Sequence, residues 1–138
     1  MSKPLLGKSI LIVDDEEMLR DLLQNVFRTE GAAVTTAESS QKALQLCQNQ
    51  SFDAVITDVR MPGGDGVSLI RKLREQLKIC PLFFVCSGFS DLAEGTTTAL
   101  GVQRVFEKPF NLREMISEVR LSLTIDPAKN RPYGPVTK

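Results

Sequence analysis

Four short apolar runs in this sequence end in residue types that can do chemistry. Ser9 to Val13 runs into Asp14 and Asp15, and Ala54 to Thr57 runs into Asp58. Leu82 to Cys86 is followed by Ser87, and Arg104 to Phe106 by Glu107, Lys108 and Pro109. Three carboxylates gathered at one rim repel unless a cation joins them, and an all-oxygen ligand set selects a hard ion such as Mg²⁺. Lys108 adds positive charge and Ser87 a hydroxyl, which together make a site suited to holding a phosphoryl group. The chain contains no histidine. Ser-His and Cys-His nucleophile pairs, histidine metal sites and a phosphohistidine role are therefore excluded, and any chemistry runs on carboxylates, hydroxyls and lysine.

Taken singly, each of these residues has a plainer role. Asp14 with Glu17 fits a capping box, and Asp15, Glu16 and Glu17 all suit the positive end of a helix. Asp58 ahead of Met61-Pro62-Gly63-Gly64 reads as a turn residue, Ser87 as a strand exit and Lys108 as a surface lysine. Chance does not readily place an acid pair, an acid, a hydroxyl and a lysine at corresponding ends of four segments, so the joint reading is preferred.

The elements that must position them are legible in the hydrophobic pattern. Five apolar segments, at Ser9 to Val13, Ala33 to Ala37, Ala54 to Thr57, Leu82 to Cys86 and Arg104 to Phe106, start about 20 to 28 residues apart. A helical pattern follows each. The first helix carries Met18, Leu19, Leu22, Leu23, Val26 and Phe27, with Gly31 as its stop. Ser39 to Gln50 shows a weaker stripe of Ala43, Leu44 and Cys47, and Val67 to Leu77 one of Val67, Ile70, Leu73 and Leu77. The last helix starts at Asn111, forms a capping box with Glu114, and continues through Met115, Ile116, Val119 and Leu123. Between Asp91 and Leu100, Gly95 and three threonines cost about 2 to 3 kcal/mol of helix propensity relative to alanine, which predicts a short or mobile fourth helix. Strands that are apolar throughout, alternating with helices, predict a parallel sheet covered on both faces, a doubly wound α/β domain. Such sheets bind ligands at the carboxyl ends of their strands, where all the reactive residues fall.

At 138 residues the chain is expected to form one domain with a single core. Its 42% hydrophobic and 25% charged residues are those of an ordinary globular protein. Formal charge is zero, which argues against a nucleic-acid-binding module. No apolar run approaches the roughly twenty residues of a membrane span, and the start lacks the apolar core of a signal peptide, so a cytoplasmic location is expected. Cys47, Cys80 and Cys86 show no metal spacing and are expected to be reduced thiols. After Leu123 the prolines and low apolar content predict a terminal arm or linker over 124–138.

Val13-Asp14-Asp15, Thr57-Asp58 followed by Met61-Pro62 and Asp65-Gly66, Ser87-Gly88 and Lys108-Pro109-Phe110 resemble, in that order, the receiver domain of bacterial two-component response regulators. The resemblance spans residues 7–123 and, with no output domain in the sequence shown, implies either a single receiver of the chemotaxis type or the first domain of a longer protein. It implies a flavodoxin-like fold, a five-stranded parallel sheet of order 2-1-3-4-5 with five surrounding helices. It also implies that Asp58 accepts a phosphoryl group from a sensor histidine kinase or phosphotransfer protein. Asp14, Asp15, Asp58 and the backbone carbonyl of Arg60 would hold Mg²⁺, while Ser87 and Lys108 would contact phosphoryl oxygens. Ser87 and Phe106 would form the switch, Phe106 turning inward, although it lacks the hydroxyl of the commoner tyrosine. The face of the fourth helix, fifth strand and fifth helix would meet a downstream protein or a second copy, with no direct nucleic-acid or membrane contact. The bond preceding Pro109 is expected to be cis, and Arg60 and Phe89 lie where receivers tune the lifetime of the phosphoryl group.

Three other readings fit less well. A phosphatase of the haloacid dehalogenase type wants an aspartate two residues after its nucleophile, where this chain has Arg60. A flavodoxin-like redox protein needs a phosphate-cradling loop after the first strand, where Asp14-Asp15-Glu16-Glu17 would repel a flavin phosphate. A receiver-like interaction module without phosphorylation is set apart only by chemistry, since every acceptor and metal position is filled.

Overall fold

The computed structural model describes residues 3–88 and 95–124. Strands β1 (Ser9–Val13), β2 (Ala33–Ala37), β3 (Ala54–Asp58), β4 (Leu82–Ser87) and β5 (Arg104–Glu107) form one parallel sheet in the order β2-β1-β3-β4-β5. Helices α1 (Glu17–Thr29), α2 (Ser40–Asn49), α3 (Gly66–Gln76), α4 (Thr96–Leu100) and α5 (Leu112–Thr124) alternate with them. This is the doubly wound α/β fold that the pattern predicted. Strands β3, β4 and β5 each run one residue further than their apolar runs, so Asp58, Ser87 and Glu107 are themselves the last strand residues.

Hydrophobic burial on both sheet faces holds the layers together. On one face Ile10, Ile12, Ile56 and Phe84 pack with Leu23 and Phe27 of α1 and Met115, Val119 and Leu123 of α5. On the other Leu11, Val55, Phe83 and Val85 pack with Ala43 and Cys47 of α2 and Leu69, Ile70 and Leu73 of α3. Leu5, two residues before the expected start of the domain, is fully buried in the first cluster. The Arg120 guanidinium of α5 also donates to the Glu30 carboxylate just after α1, at 2.5 and 2.9 Å.

The first helix corrects the apolar stripe read from the sequence. Leu23 and Phe27 are buried, with Leu19 and Val26 packed against them, whereas Met18 is 86% and Leu22 45% exposed. At 100° per residue, six apolar side chains form a stripe wider than one sheet face can cover, and Met18 and Leu22 at one edge of it are left outside. The helix stops where expected, at Gly31, whose φ of 102° favours glycine.

Two helix starts use side-chain caps that bear on the site. Asp65 accepts from the Ser68 N–H at 2.8 Å and begins α3, and Asn111 accepts from the Glu114 N–H at 3.0 Å and begins α5. The Glu114 carboxylate, expected to complete a reciprocal box, instead lies 3.2 Å from Arg104 on β5. Helix α4 is short, as its threonines predicted, and the part of that expectation on residues 91–94 lies outside the described residues. Its end is held from elsewhere. The Arg74 guanidinium of α3 donates to the Leu100 carbonyl at 2.5 Å and to the Gly101 carbonyl at 3.1 Å, and lies 4.9 Å from the Phe83 ring centre. The tail expected over 124–138 lies outside the described residues, apart from Thr124 at the end of α5.

Candidate phosphoryl and metal site

The carboxyl ends of β1 and β3 bring three acids together. Asp14, Asp15 and Asp58 each offer one carboxylate oxygen, and these oxygens lie within 4.8 Å of one another. Asp14 and Asp58 are buried while Asp15 is exposed, so the cluster opens to solvent on one side. Asp14 does not cap α1. The N-cap is Glu16, with no side-chain cap bond, and Asp14 Oδ1 accepts from the Glu16 N–H at 2.8 Å to close the turn before the helix. A role missed in the sequence belongs to Arg20, which donates to the Asp14 main-chain carbonyl at 2.7 Å. An arginine early in the helix after an acidic turn is the available signal for it.

Lys108 reaches the cluster from the other side. Its Nζ lies 3.0 Å from Asp58 Oδ2. Burial opposes the Lys108 ammonium, but the hydrogen bond to Asp58 and the charges of Asp58 and Asp14 outweigh it, so its pKa lies above the ordinary value. The other Asp58 oxygen, Oδ1, accepts from the Val59 N–H at 2.9 Å. Ser87 is buried at the end of β4, one residue beyond Cys86, the strand partner of Asp58. Its main-chain carbonyl accepts from the Lys108 N–H at 2.8 Å, tying the lysine's backbone to the end of β4. The Lys108–Pro109 bond is cis, as expected.

The remaining expected residues lie around this centre. Arg60 is exposed at the start of the β3–α3 loop, where it lines a shallow pocket with Met61, Pro62 and Asp65. Phe106 is buried and already inward, stacked on Phe84 with ring centres 6.2 Å apart. Arg104 covers that ring at 5.5 Å and is itself held by Glu114 and Glu118, at 3.2 and 2.8 Å. Phe89 lies outside the described residues. The buried Cys47 and Cys86 thiols are pushed up to about 11 and about 12 by burial, which keeps both protonated and unreactive.

Crowding of acids has a measurable cost. Burial, and then the charge of Asp58, raises Asp14 from 3.8 to about 6, against the Glu16 N–H and Lys108. The folded chain thus disfavours ionised Asp14: stability falls as pH rises from 3.8 through about 6, and the loss is complete above that. Asp14→Asn keeps an oxygen for the Glu16 N–H and removes the charge. Without metal, it is expected to raise the melting temperature at pH 7.5 by several degrees, about 1 to 3 kcal/mol, with the gain gone near pH 4. Thermal melts at the two pH values check this.

The residues present suit a hard divalent ion: three carboxylate oxygens with no nitrogen or sulfur donor among them, on a rim that leaves room for water ligands. Known proteins are similar to this chain in sequence and in fold. The family model of the response regulator receiver domain matches residues 10–120. A curated relative, the alkaline phosphatase synthesis transcriptional regulatory protein PhoP of Bacillus subtilis, is 30% identical over 118 residues, covering 86% of this chain and 49% of its own length. The chain thus spans about half of that relative. Among solved structures, a response regulator receiver protein from Pseudomonas putida superposes with a TM-score of 0.77 at 28% identity, covering 83% of this chain and 96% of its own. The response regulator TrrA from Thermotoga maritima, in complex with Mg²⁺ and BeF, superposes with a TM-score of 0.73 at 30% identity over 83% of this chain and 97% of its own. On the match over residues 10–120 and this fold, the chain belongs to the response regulator receiver domain family and is a receiver of two-component signal transduction.

Proposed function

We propose that this receiver accepts a phosphoryl group on Asp58, with Mg²⁺ held by Asp14, Asp15, Asp58 and the Arg60 carbonyl. The observation that carries the reading is the cluster itself: three carboxylates within 4.8 Å of one another, with Lys108 3.0 Å from Asp58. An Asp58 carboxylate oxygen attacks phosphorus in line, and the bond from phosphorus to the donor's nitrogen or oxygen breaks, its electron pair leaving with the donor. The metal ion supplies charge neutralisation at the phosphoryl oxygens. Lys108 neutralises a further oxygen and the Ser87 hydroxyl donates to another. Asp58 is consumed as an acceptor, so the chain is a switch rather than a turnover enzyme.

The donor is a sensor histidine kinase or phosphotransfer protein, since this chain has no histidine of its own. The output is a protein contact or dimer through α4, β5 and α5, with no direct nucleic-acid or membrane contact. Of the expected switch pair, Ser87 is the part that moves and Phe106 is its fixed backing. With Phe106 already inward on Phe84, the change on phosphorylation is carried at Ser87 and α4 while Phe106 keeps the inner position. Arg60 and Phe89 set the phosphoryl lifetime. The receiver occupies residues 7–123, followed by a tail or linker. It acts in the cytoplasm as a receiver of the chemotaxis type, on its own or as the first domain of a longer protein, and no helix among the described residues is long and apolar enough to cross a membrane. The length of the native protein in its source cells separates a stand-alone receiver from the first domain of a longer protein.

Acetyl phosphate and Mg²⁺ followed by intact-mass measurement test the central claim. The wild-type chain is expected to gain about 80 Da, the mass of a phosphoryl group, and Asp58→Asn to gain nothing. An unmodified wild type would leave a receiver-like interaction module as the reading.

A further inference from the structure

We propose that Thr57 is a positioning residue for the Asp58 carboxylate, acting through the peptide plane between Asp58 and Val59. The inference rests on the phosphoacceptor reading of Asp58 and deepens it. Thr57 is fully buried, the one hydroxyl-bearing residue in a strand that otherwise reads Ala, Val, Ile before its terminal aspartate. Valine would have the same shape and a stronger preference for such a place, because a buried hydroxyl is unfavourable unless it is hydrogen-bonded. The hydroxyl has a specific acceptor, the Asp58 main-chain carbonyl at 2.9 Å.

That carbonyl shares a peptide plane with the Val59 N–H. The N–H end of the plane donates to Asp58 Oδ1 at 2.9 Å and to the Cys86 carbonyl on β4 at 3.1 Å. Thr57 therefore holds one end of a rigid unit whose other end holds one oxygen of the reactive carboxylate. With Oδ1 tied in this way, Oδ2 is left 3.0 Å from Lys108. The hydroxyl acts where the sheet offers less support, since the β1–β3 pairing ends at Val13 and Thr57, one residue before Asp58. Without it the plane can rock, and the carboxylate rocks with it. A loss of alignment at an attacking oxygen lowers rate more than donor binding, because the donor's other contacts are unchanged.

Thr57→Val removes the hydroxyl at nearly constant volume. The saturating rate of phosphorylation by acetyl phosphate is expected to fall about 5- to 10-fold, with the half-saturating donor concentration within about twofold of wild type. Amide exchange at Val59 is expected to quicken about tenfold. Thr57→Ser is expected to restore both to within about twofold of wild type. The Thr57→Ser and Thr57→Ala pair, which differ only in the hydroxyl, carry the same comparison if the valine variant does not fold. Wild-type rate and Val59 exchange in the valine or alanine variant, or a serine variant as slow as these, would overturn the inference. A wild-type chain that gains no phosphoryl mass would instead remove the acceptor reading, while the Val59 exchange comparison would still report on the peptide plane.

Discussion

Replacing Lys108 with methionine is expected to leave a folded chain that accepts phosphoryl groups about 100- to 1,000-fold more slowly at saturating donor and Mg²⁺. Lys108 is the cation seen on the Asp58 carboxylate, and its backbone is fixed independently, by the bond from its N–H to Ser87 and by its place at the end of β5. Methionine keeps most of the apolar stem and removes only the ammonium. What is lost is a positive charge held in position before negative charge arrives, in a partly desolvated place where such a charge counts most. Lys108→Arg keeps the charge but spreads it over a planar fork, so it is expected to recover the rate only in part. Stopped-flow or intact-mass time courses separate the three proteins. A methionine variant within tenfold of wild type would mean that the lysine serves the fold rather than the chemistry.

Gly66→Ala is the second substitution with a large expected effect, and its cause is steric. A Cβ at Gly66 would lie 2.2 Å from the Asp58 main-chain oxygen and 3.1 Å from Thr57 Oγ1, and the first of these is backbone that cannot swing aside. The Gly66 N–H also donates to the Val59 carbonyl at 2.9 Å, so the first turn of α3 sits directly on the end of β3. One methyl group there must lift the helix from the strand or push Asp58 out of place. About 1 to 3 kcal/mol of stability is expected to be lost, several degrees in melting temperature. Phosphoryl acceptance is expected to fall at least tenfold, since small displacements at a reacting atom are costly. Thermal melts and the acetyl phosphate time course measure the two losses. The same methyl at Gly63, where a Cβ meets nothing within 4 Å, serves as the comparison for backbone strain alone at a φ of 83°.

Much of this arrangement was legible before any coordinates. Strand continuity and helical spacing placed the five strands and the helices between them, because β1, β3 and β4, covered on two faces, keep their polar residues towards the strand ends, and periodicity records that directly. Asp14, Asp15, Asp58 and Lys108 were legible as a group because each ends a strand, and parallel strands end on one side. What stayed hidden depended on angle rather than order. The stripe on α1 included Met18 and Leu22, since composition cannot say which 100° of a wide apolar arc meets the sheet. Asp14 looked like a helix cap because an acid three residues before another acid fits that pattern, whereas the chain turns once more and starts the helix at Glu17. Glu114 was expected to reach back to its own helix start, and a basic partner on a neighbouring strand drew it away. Contacts such as Thr57 on Asp58 and Arg74 on Leu100 arise from side chains meeting backbone, which spacing does not encode.

The grip of Arg74 on the Leu100 and Gly101 carbonyls also bears on how the last part of the sheet is placed. A helix of five residues ordinarily inherits its position from the loops on either side, so that lengthening one of them moves it. Here the stopping point of α4 is fixed by a side chain from a different helix. The turn from α4 into β5 is accordingly set by α3, and β5 begins with Arg104 in register with Phe84. Arg74 is thus the side chain through which α3 sets where the chain turns into its last strand.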